Sequence, residues 1–458
     1  MEKNLSNIQE SNKKQVPLTI RRNNQIKNAF DGDVLERRKT AKILTKYIER
    51  LKAGAVLAID APWGEGKTWF GLNWAKQLED EYGHKVVYIN SFKQDYIEDA
   101  FILIASEIQN ALDNKKINTL NFKEKATNVI NAYIPVASKI LIRTLGRLIL
   151  NTAEQEVNQE IADTTSSIIK EKINNYSEDK SSVESFINEL KTICANEEKP
   201  IVIFIDELDR CKPTFAVQII ERIKHLFDVP NLVFVLLLHR KQLENAIIGV
   251  YGKGTDAQTY LGKFINLFFC LPKNYTRNED QSISQVSTFI TNELKRYGYE
   301  TCVYPETNLK DQIADNFKNE LSEWVIAKRM SLRDIEHACA LFIMSNIRKK
   351  DGLLSYLIAL KIKEKDLYNR LLLDEKEAHR EAANNLSKLI NNDYDIKEWP
   401  NLYFKMLEEC HFLHIGSFKT VHDCQYLKNH SKRIFDTKIT SVDFRETLNK
   451  IDLPLEIK

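Results

Sequence analysis

The 458-residue chain is sparing with glycine and proline, 14 and 10 residues, and has almost no net charge, with 66 basic against 64 acidic side chains. The charge balance removes the global basic field that advertises nucleic acid as a partner. Seven cysteines, an odd number, are scattered without disulfide-style spacing, which fits a reducing cytoplasm. The first fifteen residues, with Asn4, Gln9, Asn12, Lys13 and Lys14, contain no apolar signal core. They read as a disordered leader, taken as residues 1–29. Internal repeats are not visible, and no Ser–His–Asp or Cys–His nucleophile arrangement stands out. With few breakers, most segments outside five apolar runs carry helical periodicity with Glu/Lys-rich faces. The length suits two or three domains.

What is present begins with Ala55-Val56-Leu57-Ala58-Ile59, an apolar run that reads as a buried strand, followed by Ala61-Pro62-Trp63-Gly64-Glu65-Gly66-Lys67-Thr68 and a helix-like stretch from Trp69. Gly-Lys-Thr between a strand and a helix is how a chain holds a nucleoside triphosphate. Loop N–H groups wrap the phosphates, a lysine such as Lys67 reaches the β/γ oxygens, and a hydroxyl such as that of Thr68 ligates Mg²⁺. Ala61 stands where the usual pattern has glycine.

About 140 residues later comes Ile201-Val202-Ile203-Phe204-Ile205-Asp206-Glu207-Leu208-Asp209-Arg210-Cys211. Five consecutive apolar residues predict a strand buried on both faces of a parallel sheet. Two carboxylates at its C-terminal end stand where ligands of open α/β sheets bind. Asp206 is placed to hold the Mg²⁺ shell, and Glu207 to orient and deprotonate an attacking water. A further strand, Asn231–Leu238, follows a helix expected from Pro213 to Phe227 and ends at His239. That histidine is either a γ-phosphate sensor or, as lone histidines more often are, a structural hydrogen-bonder. The strands expected in the sheet are Ala55–Asp60, Val86–Asn90, Ile201–Asp206, Asn231–Leu238 and Leu267–Leu271.

These residues resemble the KAP family of P-loop NTPases. The resemblance rests on Trp63-Gly64-x-Gly66-Lys67-Thr68, on Ile205-Asp206-Glu207-Leu208-Asp209-Arg210-Cys211-x-Pro213, and on Ile223-Lys224-x-x-Phe227. It continues at Asn231-x-Val233-Phe234-Val235, Tyr260-Leu261-Gly262-Lys263-Phe264-Ile265 and Leu271-Pro272, with an upstream box Asp33-x-Leu35-x-Arg37. It implies an additional-strand P-loop ATPase with a catalytic glutamate, matched by Glu207, a third carboxylate, Asp209, and the neighbouring Arg210. It also implies an arginine on a helix after the sheet, matched by Arg333 in Met330-Ser331-Leu332-Arg333-Asp334. Arg333 is expected to reach the γ-phosphate from a helical lid. Arg210 is expected to act in its own subunit, to reach a neighbour's site in a homo-oligomer, or to form only a surface ion pair. His239 departs from the pattern, where an aspartate is common.

The fold expected is α/β: a parallel-sheet P-loop NTPase core at 30–110 and 195–275, a helical insertion at 111–194, a helical lid at 276–350 and a helical C-terminal region at 351–458. Within the insertion, Lys139, Arg143 and Arg147 share one helical face of residues 136–150. Three cations at mid-membrane would cost roughly 8–10 kcal/mol, which excludes a single span. The apolar face of Ile140, Leu141, Leu145, Leu148 and Ile149 suits packing within the protein or, as the alternative, peripheral contact with an inner-membrane surface. Cys410, His411, His414, His422, Cys424 and His430 form a patch that offers zinc ligands in pairs but matches no standard finger spacing.

The function expected is Mg²⁺-dependent ATP binding and hydrolysis, with Lys67, Glu207, Arg210 and Arg333 as catalytic residues, Ala61 to Trp69 holding the nucleotide, and Thr68 and Asp206 holding the metal. ATP is expected in preference to GTP. The family resemblance adds assembly with a separately encoded effector or adaptor, and a role in prokaryotic defence against phage or plasmids. The alternative is a nucleotide-dependent scaffold or switch with little turnover. Nucleic-acid binding through Arg348-Lys349-Lys350 or Lys428, Lys432 and Arg433 is not favoured, because no stacking aromatics accompany them.

Overall fold

The computed structural model describes residues 26–51, 53–95, 100–114, 184–224, 226, 229–272, 280–298, 309–345, 351–390, 399–418, 423–433, 435 and 444–452. The cationic stretch 136–150 and most of the expected insertion lie outside these residues, as do positions 1–25, Phe227, Arg348-Lys349-Lys350 and His422. The chain divides into two compact units, Asn24–Pro272 and a second that holds Lys273–Lys458.

Five strands form in the first unit: β1 (Ala55–Asp60), β2 (Val86–Asn90), β3 (Ile201–Asp206), β4 (Leu232–Leu238) and β5 (Leu267–Cys270). They make one sheet in the order β2-β3-β4-β1-β5, with every pairing parallel. β4 begins one residue later than its sequence predicts. Asn231 takes a left-handed backbone (φ 58°), outside the extended conformation of a strand, although its carbonyl still accepts from the Ile201 amide at 2.8 Å; its side-chain amide turns to the carbonyls of Cys194 and Glu197. β5 ends one residue early at Cys270, although the Leu271 amide still donates to Asp60 O at 2.9 Å.

Alternation along the strands explains why their sequences are continuously apolar. Val56 and Ala58, Ile201, Ile203 and Ile205, and Leu232, Phe234, Leu236 and Leu238 pack into one core cluster. Leu57 and Ile59, Val202 and Phe204, and Val233, Val235 and Leu237 pack into another. Side chains two apart share a face, so a sheet covered on both sides needs apolar residues at every position. Each of the valine, leucine, isoleucine and phenylalanine side chains, fully buried, contributes roughly 1.5–3 kcal/mol to holding the strands in place.

The helices of this unit include Arg37–Ile48, Lys67–Asp80, Ala100–Asn114, Pro213–Lys224 and Arg240–Tyr251. The helix Lys67–Asp80 lies close to β4 at Gly71. A Cβ there would fall closer than 3.0 Å to Leu237 Cδ1 and 3.2 Å from Tyr88 Oη.

The second unit is helical, with elements at Asp280–Arg296, Leu309–Ala327, Leu332–Met344, Leu354–Lys363, Lys365–Leu372, Lys376–Ser387, Asn401–His414, Gln425–His430 and Phe444–Asp452. Its core is built on Trp324, fully buried among the rings of Tyr356, Tyr403 and Phe404. Among the described residues no helix is long and apolar enough to cross a membrane, and the six described cysteines are free thiols.

Candidate nucleotide-binding site

In a parallel sheet the strand ends of one direction gather on one edge, and here β1, β2, β3 and β4 deliver Ala61, Asn90, Asp206 with Glu207, and His239 to that edge. The Ala61 amide donates to Leu238 O at 3.2 Å, and the Arg240 amide donates to Asp60 Oδ1 at 2.9 Å. The ends of β1 and β4 are thereby tied together where the loop departs.

The loop turns on Gly64 (φ 85°) and Gly66 (φ 74°), left-handed positions at which glycine carries no steric penalty. Gly66 caps the helix Lys67–Asp80, so the helix N–H groups open toward the loop. Lys67 is buried, and its ammonium donates to Ala61 O at 2.7 Å and Pro62 O at 3.3 Å. Burial lowers its pKa, while the charges of Asp209 and Asp206 oppose that shift. Ala61 and Glu65 are buried, whereas Pro62 and Trp63 face solvent. The Trp63 indole N–H donates to Asp209 Oδ2, and its ring stands edge-on to His239 at 5.7 Å. Trp69 sets its ring edge-on to Phe30 at 5.7 Å, in the packing of the core.

Asp206 is 1% exposed. Its carboxylate accepts from the Tyr88 hydroxyl at 2.9 Å and the Glu207 amide at 2.7 Å, and the nearby Thr68 hydroxyl favours its charged form. Burial raises its pKa and the Glu207 charge adds to the rise, against the pull of those donors. Ser91 Oγ donates to the Asp206 carbonyl at 2.6 Å. A threonine hydroxyl beside a buried carboxylate forms an all-oxygen donor pair, which suits Mg²⁺. The residues present therefore fit the ion.

Glu207 sits in a left-handed backbone conformation (φ 61°), uncommon for a residue with a side chain. One carboxylate oxygen accepts from Asn90 Nδ2 at 3.1 Å; the other meets Arg210 Nη1 at 2.9 Å. The guanidinium of Arg210 is thus engaged by the glutamate three residues before it. His239 is half-buried, with Nδ1 enclosed and without a hydrogen-bond partner in the described structure. Burial lowers its pKa, and the Lys67 charge adds to the effect.

Three residues were not singled out from sequence. Tyr88, Asn90 and Ser91 close the end of β2, and the signal for them was a strand that runs apolar and then turns polar, as β3 does. The upstream box also acquires a physical role. Asp33 accepts from the amides of Arg37 (3.0 Å) and Arg38 (2.7 Å) at the start of Arg37–Ile48, and the buried Arg37 guanidinium reaches Gly66 O at 3.4 Å. The structure brings together Lys67, Thr68, Asp206, Glu207, Asp209 and Arg210. Arg333 belongs to the other unit. It is exposed on the first turn of Leu332–Met344, whose start is fixed by a capping box between Ser331 and Asp334.

The sequence profile described as the KAP family P-loop domain matches residues 37–357. No curated protein matches the chain. A structure of the Aeropyrum pernix ORC2 protein, in ADPNP-ADP complexes, aligns over 93% of this chain and 93% of that one at 10% identity and a TM-score of 0.32. That likeness is too distant to bear on substrate or partner. The profile covers well over half of the chain, and β4 lies between the loop-bearing β1 and the acid-bearing β3, the additional strand that the family resemblance implied. This protein belongs to the KAP family of P-loop NTPases, whose P-loop domain implies nucleotide binding.

Proposed function

We propose that the protein binds ATP with Mg²⁺ and hydrolyses it, using the cycle to drive or gate assembly with a separately encoded partner. The observation that carries this reading is the buried Asp206 carboxylate at the end of β3, held by Tyr88 and the Glu207 amide, beside the buried Lys67 of the phosphate loop and an acidic neighbour, Glu207. Loop amides and Lys67 would hold the phosphates, with Lys67 exchanging its carbonyl partners for phosphate oxygens. Thr68 and Asp206 would hold Mg²⁺, which supplies charge neutralisation for the transferring phosphoryl group. Glu207 would orient and deprotonate water. Residues 276–350 are taken as a lid on which Arg333 reports nucleotide state, and Arg210 as a second candidate for phosphoryl charge. Defence against phage or plasmids is the biological setting that the family resemblance favours.

One observation favours the alternative, a switch with little turnover. Both carboxylate oxygens of Glu207 are engaged, by Asn90 and Arg210, so water activation requires at least one contact to be given up. Mg²⁺-dependent phosphate release from the wild type and Glu207→Gln separates the two readings. A general base contributes about 10²–10⁴-fold, so the variant should lose that much while still binding nucleotide. Equal rates would remove Glu207 from catalysis. Tight binding without turnover in the wild type would favour the switch.

A further inference from the structure

The helical unit holds a second cluster of ligating groups, and sequence spacing does not reveal it. Asp374 follows Lys365–Leu372, His379 lies on Lys376–Ser387, and His414 ends Asn401–His414. One ligand atom from each lies within 4.8 Å of the others. His414 Nε2 is 2.7 Å from Asp374 Oδ1, and His379 Nε2 is 3.6 Å from the same oxygen. We propose that Asp374, His379 and His414 bind a borderline divalent transition-metal ion, zinc foremost, through two imidazole nitrogens and one carboxylate oxygen, leaving a position for water.

Four observations carry this assignment. First, Zn–N and Zn–O bonds of about 2.0–2.2 Å in a tetrahedron set neighbouring ligand atoms roughly 3.3–3.5 Å apart. The 3.6 Å separation already fits, and the 2.7 Å contact needs to open by about half an ångström to reach that spacing.

Second, His379 is fully buried, and its Nε2 has no hydrogen-bond partner although it faces the carboxylate. A buried polar atom left unpaired is unfavourable, and a metal bond would remove that penalty.

Third, an outer shell is in place. His379 Nδ1 is 2.9 Å from His411 Nδ1, and His411 Nε2 is 2.9 Å from Tyr356 Oη. One of the two facing Nδ1 atoms must carry the proton. With it on His379, Nε2 of that ring is a lone pair directed at the cluster, the tautomer a metal requires. Phe444 packs against all three histidine rings, stacking on His411 at 4.4 Å, and restricts their rotation.

Fourth, Asp374 adopts φ 61° at the end of its helix. The Glu375 amide returns to Arg370 O and the Asp374 amide to Leu371 O, a Schellman closure whose left-handed residue is usually glycine. An aspartate there carries strain that glycine would avoid, and its side chain is delivered to the two imidazoles. Arg445 Nη2 lies 3.5 Å from Oδ2, leaving Oδ1 as the ligating oxygen.

The cysteines of the neighbouring patch do not join. Burial raises Cys410 well above the ordinary thiol range and Cys424 to about 12, which keeps both as thiols, and among the described residues neither groups with the trio.

The test uses full-length, tag-free protein stripped with a chelator. Zn²⁺ is titrated against a chromophoric competitor, Co²⁺ binding is followed by its visible spectrum, and melting is measured with and without zinc. We expect one ion per chain, a tetrahedral Co²⁺ spectrum, and a zinc-dependent rise in Tm. His414→Ala and Asp374→Asn should each weaken zinc at least about 100-fold, beyond what loss of an outer-shell partner costs. Asparagine tolerates the left-handed turn, so Asp374→Asn preserves the fold. His430→Ala, outside the trio, should bind as the wild type does. Wild-type protein that takes up less than one zinc, or zinc bound equally by both ligand variants with unchanged helix content, overturns the proposal.

Discussion

Replacing Gly71 by alanine sets two effects of opposite sign against each other. In the interior of the helix Lys67–Asp80 the change gains about 1 kcal/mol of helix propensity. The new Cβ, however, would stand closer than 3.0 Å to Leu237 Cδ1 and 3.3 Å from its Cγ. Leu237 is fully buried on β4, with β1 and β3 on either side, so it has little room to withdraw. Overpacking of this kind costs roughly 1–3 kcal/mol. Taking the upper part of that range leaves a net loss of about 1–2 kcal/mol.

The same carbon would lie 3.2 Å from Tyr88 Oη, the hydroxyl that donates to Asp206 Oδ2. Displacing that donor forfeits part of a charge-assisted bond worth about 1.5–3 kcal/mol. A tenfold loss corresponds to 1.4 kcal/mol, so affinity for Mg²⁺-nucleotide should fall by about tenfold. Denaturant unfolding followed by tryptophan fluorescence, with fluorescent-nucleotide titration in Mg²⁺, measures both. Combining Gly71→Ala with Leu237→Val should recover stability relative to the sum of the single changes, a coupling of about 1 kcal/mol. If Gly71→Ala alone is more stable by the propensity gain and binds nucleotide unchanged, the close packing argued here is refuted.

Two other perturbations probe the site. Burial raises the pKa of Asp206, so protonation favours the metal-free fold, and that contribution is present in acid and lost as pH rises through the raised value. Asp206→Asn should therefore stabilise the metal-free protein most at neutral pH and least in acid, while abolishing the Mg²⁺ dependence of nucleotide binding; melting across pH with and without Mg²⁺ reads both. Asp33→Ala removes the acceptor for two helix-start amides, at about 1 kcal/mol, and loosens the helix that carries Arg37 to Gly66 O. Nucleotide should bind several-fold more weakly, with little change for a charge-reversing variant at exposed Lys39.

Much of the site was legible in the sequence because its parts are local. A strand buried on both faces must be apolar at every position, so Ile201–Ile205 and Leu232–Leu238 announce themselves, and the acids that interrupt the first run mark where it reaches the edge of the sheet that bears the site. Gly64 and Gly66 supply left-handed turns and Lys67 begins a helix, all set within a few residues. The order of strands is different in kind. That β4 lies between β1 and β3 was expected through family resemblance, and only long-range pairing realises it.

Tertiary structure also decided what no spacing encodes. Tyr88 and Asn90 meet Asp206 and Glu207 because β2 pairs in register with β3, 118 and 117 residues away in the chain. His414 finds its neighbours not in Cys410 or Cys424, close in sequence, but in His379 and Asp374. Its place at the end of Asn401–His414 aims it across to the helix Lys376–Ser387 and the turn before it. By itself the sequence determined the phosphate loop, the acidic strand end and the apolar strands, since each rests on backbone conformation and side-chain period over a few residues. Which polar groups converge on Asp206, on Glu207 and on His379 was decided only when distant elements packed, because contact across a fold depends on register and helix orientation rather than on separation along the chain.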